Sequence, residues 1–348
     1  MQALRTPRTR AARLAGAVIA GLILVTGCGA GTGEPAATGT SAGASAALPA
    51  GEGVTEYPLT LRTPFGDTRL DRRPERIAVV TANTLDTDAL VALGGTPVFA
   101  PSTVDRNPWL DADDIGKIDK LWDAEAGTEV SAEAVAAASP DLIVALAAYE
   151  TFDQARFDKL KAIAPVLHAP AGELTWQELT RKLGDTLDLT AAARSAVEAA
   201  EKSVAKTRAD HPEFKGRTAT HVIVYDEKYG PYYASSPGSD TALLFEQLGF
   251  VLPAAAKKFT KDGTISDELV GLIDADFLLL STSGDPGYFV DAPLVEAVPA
   301  VADGRAVVNA QDKKSGTNHF AWGLNVQSVL SVPWLIDELA DLGGKAIR

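Results

Sequence analysis

The chain's 348 residues, 46% hydrophobic and 22% charged, have the composition of a soluble globular protein and suffice for about two domains, each with a sizeable core. Its 46 acidic and 32 basic residues give a formal charge of −14, which excludes a general electrostatic attraction for nucleic acid or anionic lipid. The single cysteine excludes an internal disulfide.

In chain order, residues 1–27 read as a targeting segment. Arg5, Arg8, Arg10 and Arg13 make a basic start, and Ala15 to Val25 is an apolar stretch too short to cross a bilayer comfortably. It ends in Val25-Thr26-Gly27-Cys28, which resembles the bacterial lipobox; that likeness implies cleavage before Cys28 and lipidation of its thiol. Residues 28–53, rich in Gly, Ala, Ser and Thr, are expected to form a flexible tether to the membrane. Removing 1–27 removes four arginines and no acids, leaving 28 basic against 46 acidic residues, or −18.

The body then alternates strands and helices. Strands are predicted at 76–80, 97–100, 142–145 and 165–168, with helices at 86–93 and 152–163. From Leu174 to Arg208 there is no proline, and Leu179, Leu183, Leu187, Ala191, Val197 and Val204 have mostly helical spacing. One long helix over 173–210 is predicted; Gly184 and a break near Leu189-Thr190 leave a helix pair as the alternative. Strands at 220–225, 277–280 and 305–308 follow, with helices at 242–248 and at 325–342, the last interrupted near Pro333. Such alternation predicts parallel sheets with helices on their faces.

One segment occurs twice. Ser131-Ala132-Glu133 and Ser266-Asp267-Glu268 are each followed, ten residues after the serine, by an aspartate (Asp141, Asp276) and an apolar run. A serine cap with a glutamate two residues on places a carboxylate in a helix's first turn, where the macrodipole favours it. Two matched carboxylates on two similar lobes suggest a docking surface.

Motifs for a serine-hydrolase elbow, a P-loop, a zinc protease or a dinucleotide fold are absent, and His168, His211, His221 and His319 have no ligand spacing, so neither an enzyme nor a bare-metal site is expected. The chain does carry aromatic and polar loops at strand ends, where open α/β sheets bind ligands. The candidate ligand residues are Arg106, Trp109, Tyr149, Tyr225, Tyr229, Tyr232, Phe259, Tyr288 and Trp322. Aromatics suit a bulky, partly planar ligand, and an arginine suits an acidic or chelating group.

Residues 55–342 resemble the iron-siderophore-binding proteins of bacterial ABC importers, within a periplasmic-binding class that also holds vitamin B12 and haem receptors. The likeness rests on Pro74-Glu75-Arg76-Ile77-Ala78-Val79-Val80, Leu93-Gly94-Gly95-Thr96-Pro97-Val98, Glu133 with Pro140-Asp141-Leu142-Ile143, Ile163-Ala164-Pro165-Val166, and Leu248-Gly249-Phe250. It implies an α/β fold of two Rossmann-like lobes, 54–172 and 211–348, joined by one long backbone helix over 173–210, with the ligand cleft between them. It further implies a lipid-anchored, monomeric, non-enzymatic receptor for a ferric siderophore, with no cofactor of its own. Glu133 and Glu268 would meet an ABC permease served by its ATPase; the second repeat departs from the pattern at Ala275, where proline is usual. The stretch 123–127 lacks the arginine that hydroxamate receptors carry there, which leaves Arg106 or Trp109 to serve and the siderophore class open. The tyrosine that such receptors carry after the repeat strand does match, at Tyr149; haem receptors ligate iron through a tyrosine or histidine, a role open to Tyr149, so a haem or corrinoid receptor is the alternative.

Overall fold

The computed structural model describes residues 48–124, 129–149, 151–313 and 315–347; the predicted signal segment, Cys28 and residues 28–47 lie outside them. The described residues form one compact unit.

A short antiparallel hairpin, β1 (Leu59–Leu61) with β2 (Thr68–Leu70), leads into the first parallel sheet. There β3 (Ile77–Val79) pairs with β6 (Leu142–Ala148), and β6 with β7 (Val166–Pro170). On the other edge, Val79 N donates to Phe99 O at 2.7 Å, adding the strand that continues as β4 (Ala100–Pro101) beside β5 (Leu121–Trp122). All seven residues of β6 are buried, as a parallel strand covered on both faces requires, which is why it reads as one apolar run. Helices α1 (Leu85–Ala92), α2 (Ala132–Ala137) and α3 (Gln154–Lys161) belong to this half. The second sheet has the order β11 (Ala306–Ala310), β10 (Phe277–Thr282), β8 (Ala219–Val224), β9 (Pro231–Tyr233), parallel except for β9. Each sheet packs separate apolar clusters on its two faces. This is the expected α/β architecture of two lobes.

The repeat has a structural logic in both halves. Asp141 accepts from Arg76 N at 2.8 Å and Glu75 N at 3.0 Å, latching the start of β3 to that of β6. Asp276 accepts from Thr218 N at 2.8 Å and Thr218 Oγ1 at 3.0 Å, doing the same for β8 and β10. The two aspartates thus set equivalent strand registers.

The connection between the sheets corrects the predicted helix over 173–210. It consists of α4 (Trp176–Thr186) and α5 (Thr190–Asp210), separated at Leu187–Leu189. Gly184 allows the bend: a Cβ there would stand 2.4 Å from Ala193 Cβ and 3.0 Å from Leu189 O. Asp188 adopts φ +57°, and its carboxylate accepts from Gly53, Val54 and Thr55 N at 2.7–2.8 Å. The single helix that spans from one sheet to the other is therefore α5, 21 residues and about 30 Å long.

The same corner corrects the tether's far end. Leu48 is buried in the first lobe's core, Pro49 O accepts from Arg73, and the Glu52 carboxylate accepts from Ala191 N and Ala192 N at the start of α5. Residues 48–53 are thus packed onto the body, because Glu52 supplies a cap that Leu189 cannot. Helix α6 (Asp240–Leu248) ends, as predicted, at Gly249 in the left-handed conformation. The terminal helical region is α7 (His319–Asn325) and α8 (Ser331–Ala346). Its break falls before Pro333, which sits in the first turn of α8, where a missing N–H costs nothing.

Candidate ligand-binding cleft

A cavity of about 580 Å³ opens where the parallel strands end. The first lobe contributes Ala82–Thr84 after β3, Thr103, Arg106 and Asn107 after β4, Ala124 after β5 and Tyr149 after β6; the second contributes Thr317, His319 and Trp322 around the start of α7. The walls are held by short polar side chains. Asn83 donates to Ala147 O and accepts from Leu85 N, Thr103 donates to Ala82 O at 2.9 Å, and Asn107 donates to Thr84 Oγ1 at 2.8 Å. Across the cleft, Asn318 caps α7 by accepting from Ala321 N and donates to the carbonyls of Thr282 and Asn309, fastening that helix to the ends of β10 and β11.

Three predicted ligand residues come together here: Arg106, Tyr149 and Trp322. Tyr149 and Trp322 are 56% and 47% exposed, large aromatic surfaces offered to the cleft. Arg106 meets Asp105 only at 3.9 Å in an exposed pair of the kind worth little, so its guanidinium remains disposed toward an anionic group. The His319 imidazole is held below the usual histidine range by burial and by Arg106, with Asp312 opposing, so it faces the cavity mainly as a neutral ring. The Tyr149 hydroxyl is held above its ordinary range by desolvation and by Asp240, at the start of α6 on the other lobe. Arg106 of the first lobe thus acts on His319 of the second, and Asp240 of the second lobe on Tyr149 of the first.

The other predicted ligand residues are elsewhere. Trp109 is absent from the cavity lining: its indole N–H donates to buried Asp88 at 2.8 Å and its ring tilts against Trp334 of α8 at 5.5 Å, making it an anchor between lobes. Phe259 is 2% exposed and stacks on Tyr233 with centroids 4.2 Å apart, which is core packing. Tyr288 packs against the same core cluster, and its buried hydroxyl has no hydrogen-bond partner. Tyr225, Tyr229 and Tyr232 are exposed around the β8–β9 turn but do not line the cavity; the Tyr232 ring lies on the backbone of Gly263. Conversely, Asn83, Thr84, Thr103, Asn107, Thr317 and His319 line the cavity without having been predicted as ligand residues. Their one sequence signal was position, short polar residues immediately beyond strand ends.

Glu133 and Glu268 are both exposed, and each accepts from its own serine, Ser131 Oγ at 2.8 Å and Ser266 Oγ at 3.0 Å. The first repeat is a capped α-helix, whereas Asp267–Ile273 is a 3₁₀ helix without a side-chain cap. Among the described residues, no three or more His, Cys, Asp or Glu side chains cluster to hold a metal ion, and no helix is long and apolar enough to cross a membrane.

The family model for periplasmic binding proteins matches residues 79–311. The chain is 29% identical over 284 residues to the ferric enterobactin-binding periplasmic protein FepB of Escherichia coli O6:H1, a match covering 77% of this chain and 86% of that protein. It is 27% identical over 219 residues to the probable siderophore-binding lipoprotein YfiY of Bacillus subtilis, covering 60% of this chain and 64% of that one. Among solved structures, PiaA of Streptococcus pneumoniae in complex with ferrichrome superposes with a TM-score of 0.62 at 24% identity, over 83% of this chain and 98% of that chain, a likeness of fold.

Proposed function

Because the chain belongs to the periplasmic binding protein family, we propose that it is an extracytoplasmic receptor that takes up a ferric siderophore in the cleft and hands it to an ABC permease and its ATPase. The observation that carries this reading is the cavity of about 580 Å³ in which Arg106, Tyr149 and Trp322 converge from both lobes. Aromatic faces suit the ligand shell of a chelate, and a guanidinium suits its negative groups. The names of FepB and YfiY point the same way. Iron arrives as cargo, already chelated, and the protein performs no chemistry on it. In this reading 1–27 is the lipoprotein signal, Cys28 carries the lipid anchor, the lobes are 54–172 and 211–348, and the receptor acts as a monomer. Glu133 and Glu268 are the permease contacts. Haem is the weaker reading: a phenolate that ligates iron is favoured by a lowered hydroxyl pKa, and that of Tyr149 is raised.

Titrating tryptophan fluorescence of the protein with ferrichrome, ferric enterobactin, ferric citrate, haem and cobalamin tests this, with absorbance corrections. Saturation by one siderophore class at submicromolar concentration is the expected result. Saturation by haem alone transfers the assignment to a haem receptor, and silence across all five, confirmed by calorimetry, ends the small-ligand reading.

A further inference from the structure

The second lobe carries an aromatic surface that begins where the cavity stops. Ile223 of β8 packs with Ala234 and with Ala321 of α7, so α7 lies on this face of the sheet. Tyr225, two residues beyond Ile223, points to the same side, and Tyr232 sits opposite Ile223 in the antiparallel pairing of β8 with β9. The two tyrosines are therefore neighbours on the face that also presents Trp322, the residue after Ala321 and a wall of the cavity. All three rings are 38–47% exposed, and exposed apolar surface grouped in this way marks an interaction site. Tyr229, at the hairpin tip, is already faced by Lys228, whose Nζ lies 4.9 Å from the ring centroid; among the described residues no cation covers Tyr225 or Tyr232. A carboxylate stands on the same face. Ser239 Oγ donates to Ala234 O at 2.9 Å and Gln327 Nε2 to Asp240 O at 2.9 Å, seating the start of α6 between the end of β9 and the end of α7. Burial raises the Asp240 carboxyl and no cation lowers it, while its charge reaches the Tyr149 hydroxyl in the cavity.

We propose that Tyr225, Tyr232, Trp322 and Asp240 form an outer subsite that takes a positively charged arm of the chelate, so that the ligand is a ferric siderophore bearing a free ammonium group; this rests on the receptor reading above. Pockets of this kind bury roughly 70–90% of a ligand's surface, which leaves part of a bulky chelate outside the cavity. The surface continuous with Trp322 is where that part comes to rest. Aromatic faces attract a cation through the ring quadrupole, more strongly where water is partly excluded, and a carboxylate adds direct attraction. The same carboxylate repels an anionic arm. Arg106, on the opposite lobe, supplies the other pole of the cleft. The negative oxygens of the chelate turn toward the first lobe and the ammonium toward the second.

Calorimetry of the full-length protein in detergent micelles, with ferrioxamine B and with N-acetylferrioxamine B, tests the subsite. The two share one ferric tris-hydroxamate core, and the arm ends in an ammonium in the first and a neutral amide in the second. The wild type should bind ferrioxamine B about tenfold more tightly than the acetylated form. That preference should fall below about threefold in Asp240→Asn, which removes the charge, and in Tyr225→Leu with Tyr232→Leu, which removes the rings and keeps apolar bulk. Equal affinities in the wild type, or a preference retained in full by either variant, overturns the proposal. Should one variant fail to fold, the other and the wild-type comparison still decide. If the wild type binds ferrichrome or ferric enterobactin but neither ferrioxamine, the receptor reading stands and the outer subsite is wrong. If no ferric chelate binds, the receptor reading fails and the subsite fails with it.

Discussion

At the scale of single residues, what matters is which side chains the fold leaves exposed and which it withdraws. Arg106 is exposed and weakly paired, so its replacement should affect binding and leave stability alone. Arg106→Ala is expected to lower affinity for an anionic ferric chelate about tenfold with no change in melting temperature, as read by calorimetry and thermal unfolding. Unchanged affinity would remove Arg106 from the site. His168 and His221 are the opposite case. His168 is buried against Phe65 and Phe152, with neither ring nitrogen hydrogen-bonded, and desolvation lowers it from 6.5 to about 4. His221, fully buried against Ser281, is lowered to about 3 by burial. Between these values and 6.5 the unfolded chain binds protons that the folded chain refuses, so stability rises with pH there. The contribution is complete above about 6.5 and is lost as pH falls through about 4 for His168 and about 3 for His221. Asp88, raised to about 7, acts in the opposite sense: its contribution is complete below 3.8 and is lost as pH rises through 7. His168→Leu isolates one histidine: its melting temperature should fall less than the wild type's between pH 7 and 4. Parallel curves would mean that His168 is solvated and titrates normally.

At the scale of elements, the decisive feature is the corner between α4 and α5. Alanine is the better helix former by about 1 kcal/mol, so propensity alone makes Gly184→Ala stabilising. The close approach of Ala193 Cβ and Leu189 O predicts the reverse, a net loss of about 1–3 kcal/mol from overpacking against atoms that cannot swing away. Urea unfolding checks it: a raised midpoint would mean that the two helices do not pack this closely. The strands were legible in the sequence, because parallel strands buried on both faces appear as unbroken apolar runs such as Leu142–Leu146. The break at Leu187–Leu189 was legible only as an alternative, because helical spacing continues through it. The packing of Leu48 and Glu52 was hidden by a low-complexity stretch whose composition says nothing of where its last residues dock.

At the scale of the whole molecule, the two lobes present matched exposed glutamates, each held by the serine two residues before it. Reversing both charges, Glu133→Lys with Glu268→Lys, should abolish iron uptake by cells while leaving ferric-siderophore affinity in vitro unchanged. Persisting uptake would place the permease contact elsewhere, and lost affinity would show that the pair supports the cleft. The lobes themselves meet through Trp109 and Asp88 on one side and Ser328 and Trp334 on the other, and the cavity lies beside that seam.

The sequence by itself determined the α/β alternation, the repeated serine–glutamate–aspartate segment, the two lobes and the likeness to siderophore receptors, because these rest on periodicity, capping chemistry and local order along the chain. Only the tertiary structure decided which loop residues line the cleft. Phe259 and Trp322 read alike as loop aromatics, yet one stacks on Tyr233 and the other stands open in the cleft. Asp88, a polar residue in a predicted helix, gave no sign that it would be buried between lobes. Burial is set by partners distant in sequence, here 240 residues away at Ser328, and no local pattern encodes that meeting.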